Sequence, residues 1–164
     1  MAGVQLISFL FSPFGRKVEI ALRAKGIAYE VVVEKDLQHK SEMLVKVNPV
    51  YKKIPVLLHN GRSICESKLI VEYIDETWPS PHQLFLRDPY DRYLVRFWAD
   101  FLDHKIRAIG VMCADHKSEA ELEMTREEYR EMWVTVESGL GELESRGLVH
   151  LKDGKRSEIN YADV

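Results

Sequence analysis

The chain has 164 residues, of which 46% are hydrophobic and 30% are charged, and its formal net charge at pH 7 is -3. This composition predicts a globular protein with a sizeable core. It excludes a broad electrostatic attraction to nucleic acid or to an anionic membrane surface, and no apolar run approaches the roughly 18 residues that a membrane span needs. Two cysteines, Cys65 and Cys113, are too few for a disulfide framework and lack the spacing of metal ligands. We therefore expect a cytosolic protein without a metal.

The first quarter of the sequence alternates strand and helix signals. Residues 4–9 form a short apolar strand, and Ser12-Pro13 then supplies an N-cap followed by proline at the first helical position. Gly26 ends this helix. Residues 29–33 include three consecutive β-branched valines and predict a strand that is buried on both faces. A parallel pair of strands joined by a right-handed helical crossover follows from this order.

A hairpin and a helix come next, after a weakly helical stretch at 38–46 that Asn48-Pro49 stops. Residues 56–58 favour a strand, Asn60-Gly61 favours a type I′ turn, and residues 67–77 carry apolar side chains at helical spacing. A cis Ile54-Pro55 bond would turn the Ile54 backbone outward, beside an unpaired strand edge, and free its N–H and C=O for an extended ligand. The order β-α-β-α-β-β-α is typical of thioredoxin-like domains.

The second half contains helix signals only. Residues 79–88 are rich in proline and predict a linker. Two long helices follow, at about 90–113 and 118–145, and the outer face of the second is dense in Glu and Arg, as expected of a solvated surface. Its apolar face is predicted to consist of Leu122, Tyr129, Val136, Leu140 and Leu143. We predict an α/β thioredoxin-like domain over residues 1–78 and an all-helical domain over residues 89–164.

The last residues have the form of a helix start. Asn160 and Asp163 are spaced as in a capping box, yet the sequence ends at Val164, whereas an isolated helix needs about 12–15 residues. We expect the helical domain to be incomplete, without its C-terminal helices. The alternative is that these residues are a frayed tail.

Two motifs carry a resemblance to a known family. The run from Asn48 to Ser67, and Ser12-Pro13-Phe14 near the start, resemble the tau class of the plant glutathione transferases, whose pattern is NPVxKKIPVLxHNGxxICES. The resemblance extends over the whole chain. It implies a thioredoxin-like domain followed by a helical domain, a homodimer, and glutathione as a co-substrate with no bound cofactor.

Ser12 is the catalytic candidate that this resemblance implies. The thiol of glutathione, like that of free cysteine, titrates near ~8.5 and is mostly protonated at neutral pH. A hydroxyl donor at a helix N-terminus can stabilise the thiolate by a charge-assisted hydrogen bond and by the helix dipole. The alternative interpretation is that Ser12 is an ordinary N-cap.

The resemblance also assigns the binding residues. Glu66 suits the ammonium group and Ser67 the carboxylate of the γ-glutamyl end, while the Ile54 backbone pairs with the cysteinyl part. Lys40 faces the glycine carboxylate and Lys53 adds positive charge there. Without the resemblance, the same residues would be a helix start and two surface lysines. The second substrate, a small hydrophobic electrophile, is expected between the domains, against Phe11, Phe14, Ile106 and Gly110.

The resulting functional hypothesis is conjugation of glutathione to hydrophobic electrophiles in detoxification or stress responses. Relatives that exchange thiols and disulfides carry a cysteine where this chain has Ser12, which favours conjugation or peroxide reduction. A second hypothesis is a non-catalytic ligandin that carries hydrophobic molecules, or an inactive truncated form. A third, a domain used only for protein assembly, would predict loss of Ser12, Glu66 or Ser67, and all three are present.

Overall fold

The computed structural model of this chain describes residues 3–79, 83–114 and 118–148, without the side chains of residues 109–114, 120, 122 and 125. The chain divides into two compact units between Phe85 and Leu86. The described elements, in chain order, are β1 (Val4–Ser8), α1 (Pro13–Ala24), β2 (Tyr29–Val33), α2 (Glu42–Val47), β3 (Val56–His59), β4 (Arg62–Cys65), α3 (Ser67–Thr77), α4 (Pro89–Ala114) and α5 (Glu119–Ser145).

The first unit is built on a four-stranded sheet in the order β2-β1-β3-β4. Strands β1 and β2 are parallel, whereas β3 runs antiparallel to both β1 and β4. The predicted thioredoxin-like order is therefore confirmed. The prediction of an unpaired strand edge beside Ile54 is wrong, because β3 is paired on both sides and Ile54 lies two residues before it.

Local signals in the sequence account for the element ends. Ser12 is the N-cap of α1 and Pro13 its first residue. Gly26 has a φ of +67°, which ends the helix in a conformation that glycine adopts without a Cβ penalty. Asn60 and Gly61 have φ values of 51° and 74°, and two positive φ values in succession are those of the predicted type I′ turn.

Strand β2 is less buried than its sequence suggests. The side chains of Val31 and Val33 are 41% and 48% exposed, so the expectation of burial on both faces is wrong. In the described sheet β2 pairs with β1 alone. Because an edge strand has a neighbour on one side only, its outer side chains keep contact with solvent even when they are apolar.

The core beneath α2 joins the helix to the sheet. Ile7 of β1, Leu44 of α2 and Val56 of β3 are each at most 1% exposed and pack together. Around them lie partly buried hydrophobic side chains, those of Val32, Val47, Ile54, Leu58 and Cys65. Cys65 thus behaves as a small apolar residue at the end of β4, and burial, with the charge of Glu66, raises the pKa of its thiol.

A buried ion pair connects the end of α1 with α3 in the first unit. The Lys25 ammonium, whose side chain is fully buried, lies 2.5 Å from the Asp75 carboxylate of α3. The same carboxylate accepts the backbone N–H groups of Leu84 and Phe85, at 2.9 and 3.2 Å. Asp75 therefore ties the end of α1, helix α3 and the segment after it into one unit.

The second unit consists, in its described part, of the two long helices that the sequence predicts. Helix α5 begins with a capping box between Ser118 and Glu121. Its inward side chains include Met132, Val136 and Leu143. A Cβ at position 139 would lie 2.1 Å from the ring of Trp98, so Gly139 is needed for the close approach of α4 and α5.

Some predictions for this unit are corrected or lie outside the described residues. Tyr129, expected on the apolar face of α5, is 41% exposed, whereas Val136 and Leu143 of the same predicted face are buried. The side chains of Cys113 and Leu122, and the pattern at 160–163, lie outside the described residues. Within the part of the chain that the structure describes, no helix is long and apolar enough to cross a membrane.

Candidate functional site

The predicted site residues of the first unit belong to segments that meet at the edge of the sheet where β1 and β2 end. Because β1 and β2 are parallel, the chain leaves both strands at the same edge, after Ser8 and Val33. Strand β3 begins at that edge with Val56, and β4 ends there with Cys65, which pairs with Val56. The segments that start or end there carry Ser12, Lys40, Lys53, Ile54, Glu66 and Ser67.

Ser12 presents its hydroxyl at the start of α1. The backbone N–H of Gly15 donates to its Oγ at 3.1 Å, and the side chain is half-buried. A hydroxyl that accepts one hydrogen bond still has its own proton to donate. The positive end of the helix dipole lies at the same place. The group can therefore stabilise an anion that approaches the N-terminus of α1.

Gly15 holds this N-terminus close to the end of β1. A Cβ built on Gly15 would lie 1.8 Å from the Oγ of Ser8, and Ser8 is only 2% exposed. A side chain of any size is therefore excluded at position 15 unless Ser8 moves. The contact fixes Ser12, three residues earlier, relative to the sheet.

Ile54 offers its backbone rather than its side chain. Its bond to Pro55 is cis, and its side chain packs against the core beneath α2. Among the described residues, no hydrogen bond uses the Ile54 N–H or C=O. Both groups can therefore pair with an extended ligand.

Asn48 shapes the loop that leads to Ile54. Its side chain is 3% exposed; its Nδ2 donates to the carbonyl of Lys53 at 2.9 Å, and its Oδ1 accepts the N–H of Tyr51 at 3.2 Å. One buried amide thus spans the turn between α2 and β3. In the sequence, Asn48 indicates only the end of a helical stretch and the start of a motif; this role was not predicted, and an amide residue before Pro49 is the signal for it.

Glu66 and Ser67 form the start of α3. Glu66 has φ 70° and ψ 113°, a conformation that costs a non-glycine residue about 1–3 kcal/mol and is typical of functional sites. Within the described part of the chain, its side chain makes no capping hydrogen bond. Ser67 is 7% exposed, and among the described residues its hydroxyl has no hydrogen-bond partner. A carboxylate could accept hydrogen bonds both from this hydroxyl and from backbone N–H groups of the helix start.

The two lysines lie on exposed loops. Lys40 follows β2 and immediately precedes Ser41, the N-cap of α2, and Lys53 immediately precedes Ile54. The loop before Lys40 is itself ordered by Asp36. Hydrogen bonds from the backbone and ring of His39, and from the N–H of Gln38, lower the pKa of Asp36 to about 2.

The residues predicted to contact a hydrophobic substrate fall in both units. Phe11 is 80% exposed, with its ring centroid 6.0 Å from that of Phe9, and Phe14 is half-buried in the first turn of α1. Ile106 and Gly110 belong to α4, and the surroundings of Gly110 lie outside the described side chains. The joint role of these four residues stays a prediction. Within the described residues, no group of three or more His, Cys, Asp or Glu side chains could hold a metal ion.

Comparison with known proteins identifies the family. The family profile "Glutathione S-transferase, N-terminal domain" matches residues 6–82. A probable glutathione S-transferase of Nicotiana tabacum is 49% identical over 140 residues, which are 85% of this chain and 61% of the relative. Glutathione S-transferase U8 of Arabidopsis thaliana is 47% identical over 122 residues, which are 74% of this chain and 54% of the relative. The chain therefore spans about three fifths of the length of the curated relatives it matches.

Solved structures agree with this assignment. The tau-class glutathione S-transferase of mango, Mangifera indica, has a TM-score of 0.82 and 36% identity, with 98% of this chain and 71% of that chain covered. A rice glutathione transferase in complex with glutathione has a TM-score of 0.82 and 34% identity, with 99% of this chain and 71% of that chain covered. The chain belongs to the glutathione S-transferase family and, within it, to the tau class.

Proposed function

We propose that this chain binds glutathione at the sheet edge where Ser12 lies and transfers its thiolate to hydrophobic electrophiles. The observation that carries the proposal is the Ser12 hydroxyl, which accepts the Gly15 N–H at 3.1 Å and keeps its own proton at the N-terminus of α1. A hydroxyl in this state is a donor for a thiolate. The rice relative has been solved in complex with glutathione, which supports the choice of ligand.

Conjugation requires the thiol of bound glutathione to have a lower pKa than the free thiol. A decrease of two units from ~8.5 corresponds to roughly 2.7 kcal/mol in favour of the thiolate, which a charge-assisted hydrogen bond and a helix dipole can supply together. The sulfur electron pair then forms the bond to an electrophilic carbon. With an aryl halide, the halide leaves with the electron pair of the broken bond, and the thiol proton goes to solvent.

The rest of glutathione would follow the sheet edge. The γ-glutamyl carboxylate would accept from Ser67 and the start of α3, and its ammonium would face Glu66. The cysteinyl part would pair with the N–H and C=O of Ile54, for which the described residues provide no other partner. The glycine carboxylate would face Lys40 and Lys53.

The test is conjugation of glutathione to an aryl halide by the purified chain and by Ser12→Ala. We expect the variant to lose at least about a hundredfold in kcat/KM, the usual effect of removing one preorganised donor, while it still binds glutathione. Ser118→Ala is the matched control, because it removes the N-cap of α5 instead, and it should keep its activity. Turnover by Ser12→Ala at the original rate contradicts the mechanism. Binding without turnover by the unmodified chain favours the ligandin.

We also propose that the chain acts in the cytosol as a homodimer. The helix α4 supports the dimer, because Tyr90, Tyr93 and Phe97 are 56%, 55% and 47% exposed along it, and contiguous exposed aromatic side chains commonly mark interaction surfaces. Light scattering after size exclusion measures the mass. A monomer at micromolar concentration argues against the proposal.

A further inference from the structure

The carboxylate of Glu34 is buried although it is a charged group. Glu34 directly follows β2 and is only 5% exposed. Its backbone N–H donates to the carbonyl of Ser8 at 2.8 Å, so its position continues the pairing of β2 with β1. A carboxylate is expensive to bury unless its hydrogen bonds are satisfied, so the hydrogen-bond partners of Glu34 indicate what its burial serves.

Both oxygens of this carboxylate accept hydrogen bonds from the same residue, Ser41. The backbone N–H of Ser41 donates to Oε1 at 3.2 Å, and the Ser41 hydroxyl donates to Oε2 at 2.6 Å. The Ser41 Oγ in turn accepts the N–H of Leu44 at 3.2 Å, which caps α2. Among the described residues, the Glu34 carboxylate has no other hydrogen-bond partner. The N-cap of α1, Ser12, works without such a carboxylate, so capping alone does not require one.

Lys40 lies between two residues that carboxylates hold in place. On one side, His39 donates its backbone N–H to Asp36 at 3.0 Å. On the other, Ser41 is held by Glu34 through two hydrogen bonds. The peptide backbone of Lys40 is therefore fixed at both ends, although its side chain is exposed. A fixed backbone reduces the ordering cost that a long, flexible lysine incurs when it binds an anion.

We propose that Glu34 is a positioning residue, which fixes Lys40 through Ser41 so that the ammonium meets the glycine carboxylate of glutathione. The inference rests on the proposed function and deepens it. Glu34 itself does not touch the ligand; its carboxylate sets where the loop after β2 stands at the sheet edge. The role concerns binding of one end of the substrate and leaves the thiol chemistry at Ser12 unchanged.

The test compares glutathione with γ-glutamylcysteine, which lacks the glycine carboxylate. For Glu34→Ala we expect the KM for glutathione to rise about tenfold with kcat changed less than about twofold, and no rise for γ-glutamylcysteine. Glu34→Gln keeps a carbonyl oxygen for the Ser41 N–H and should restore part of the affinity. Glu30→Ala is the matched control, because Glu30 is an exposed carboxylate of the same strand that accepts from Gln5, and it should bind both thiols normally.

A double-mutant cycle separates positioning from general destabilisation. In a Lys40→Ala background, Glu34→Ala should no longer raise the KM for glutathione, because interacting residues give non-additive effects. Equal losses for both thiols, or an undiminished effect without Lys40, overturn the proposal. If Glu34→Ala does not fold, Glu34→Gln and Ser41→Ala provide the same comparison. Calorimetry of the unmodified chain with glutathione tests the proposed function separately: no binding there refutes that function, whereas equal binding by Glu34→Ala refutes the positioning role alone.

Discussion

The backbone N–H of Gly15 donates a hydrogen bond of 3.1 Å to the hydroxyl oxygen of Ser12. This bond makes one side chain both a helix cap and a candidate catalytic donor. The two roles have different energetic consequences, because a cap requires only an acceptor whereas a thiolate requires a donor. Substitutions at position 12 can therefore separate stability from activity.

Ser12→Asp should keep the cap and lose the activity. A carboxylate accepts the Gly15 N–H and is favoured at a helix N-terminus, whereas Ser12→Ala loses about 0.5–2 kcal/mol of the free energy of unfolding. The carboxylate, however, has no proton for a thiolate and repels it. Urea unfolding should give a stability near that of the unmodified chain, and the conjugation assay should give little turnover. High activity in Ser12→Asp would be incompatible with hydroxyl donation.

Gly15→Ala should destabilise the first unit, because the new Cβ would lie 1.8 Å from the Ser8 Oγ. Overpacking of this kind costs typically about 1–3 kcal/mol. Gly141→Ala is the matched control: its Cβ would meet no atom of the described residues within 4 Å, and in a helix interior alanine should add about 0.5–1 kcal/mol to the stability. Thermal melts of both variants check the prediction, and equal melting temperatures would count against the close contact.

Asn48→Asp should weaken glutathione binding, because the buried amide of Asn48 shapes the loop that leads to Ile54. The variant keeps an oxygen for the Tyr51 N–H but turns a carboxylate oxygen toward the carbonyl of Lys53, where an N–H group now donates at 2.9 Å. Leaving buried polar groups unsatisfied costs about 1–3 kcal/mol, and the loop before Ile54 should shift. Calorimetric titration measures the dissociation constant; an unchanged value would show that the loop does not depend on Asn48.

The acid dependence of stability should include a contribution from Asp36. The hydrogen bonds that this carboxylate accepts hold its pKa at about 2, below the usual value of about 3.9. A group whose pKa is lower in the folded state stabilises above its unfolded pKa, and the contribution is lost as the pH falls through its folded pKa. The stability difference between the unmodified chain and Asp36→Ala should therefore be constant above pH ~5 and shrink toward pH ~2. Urea titrations at several pH values measure it, and a difference that is independent of pH would contradict the assignment.

Much of the first unit follows from local chemistry in the sequence. Pro13 after Ser12, Gly26 and Asn60-Gly61 each adopt the conformation that their residue types favour. The burial of β2 could not be predicted in the same way. Val31 and Val33 are residue types typical of an inner strand, but in the described sheet β2 pairs with β1 alone, and both side chains are exposed.

The supporting residues of the site were harder to predict than its principal ones. Ser12, Glu66 and Ser67 belong to recognisable motifs at helix starts. Glu34, and Asp75 elsewhere in the first unit, accept hydrogen bonds from residues seven to ten positions away, and their burial depends on how the loops fold back. The periodicity of the sequence does not indicate such contacts.

The pKa of the thiol of bound glutathione tests the central claim most directly. Ultraviolet absorbance of the thiolate, recorded against pH with saturating glutathione, gives this value for the unmodified chain and for Ser12→Ala. We predict a pKa about two units below that of a free thiol, ~8.5, in the unmodified chain and a return toward ~8.5 in the variant. The same thiol pKa in both proteins would contradict the role of Ser12.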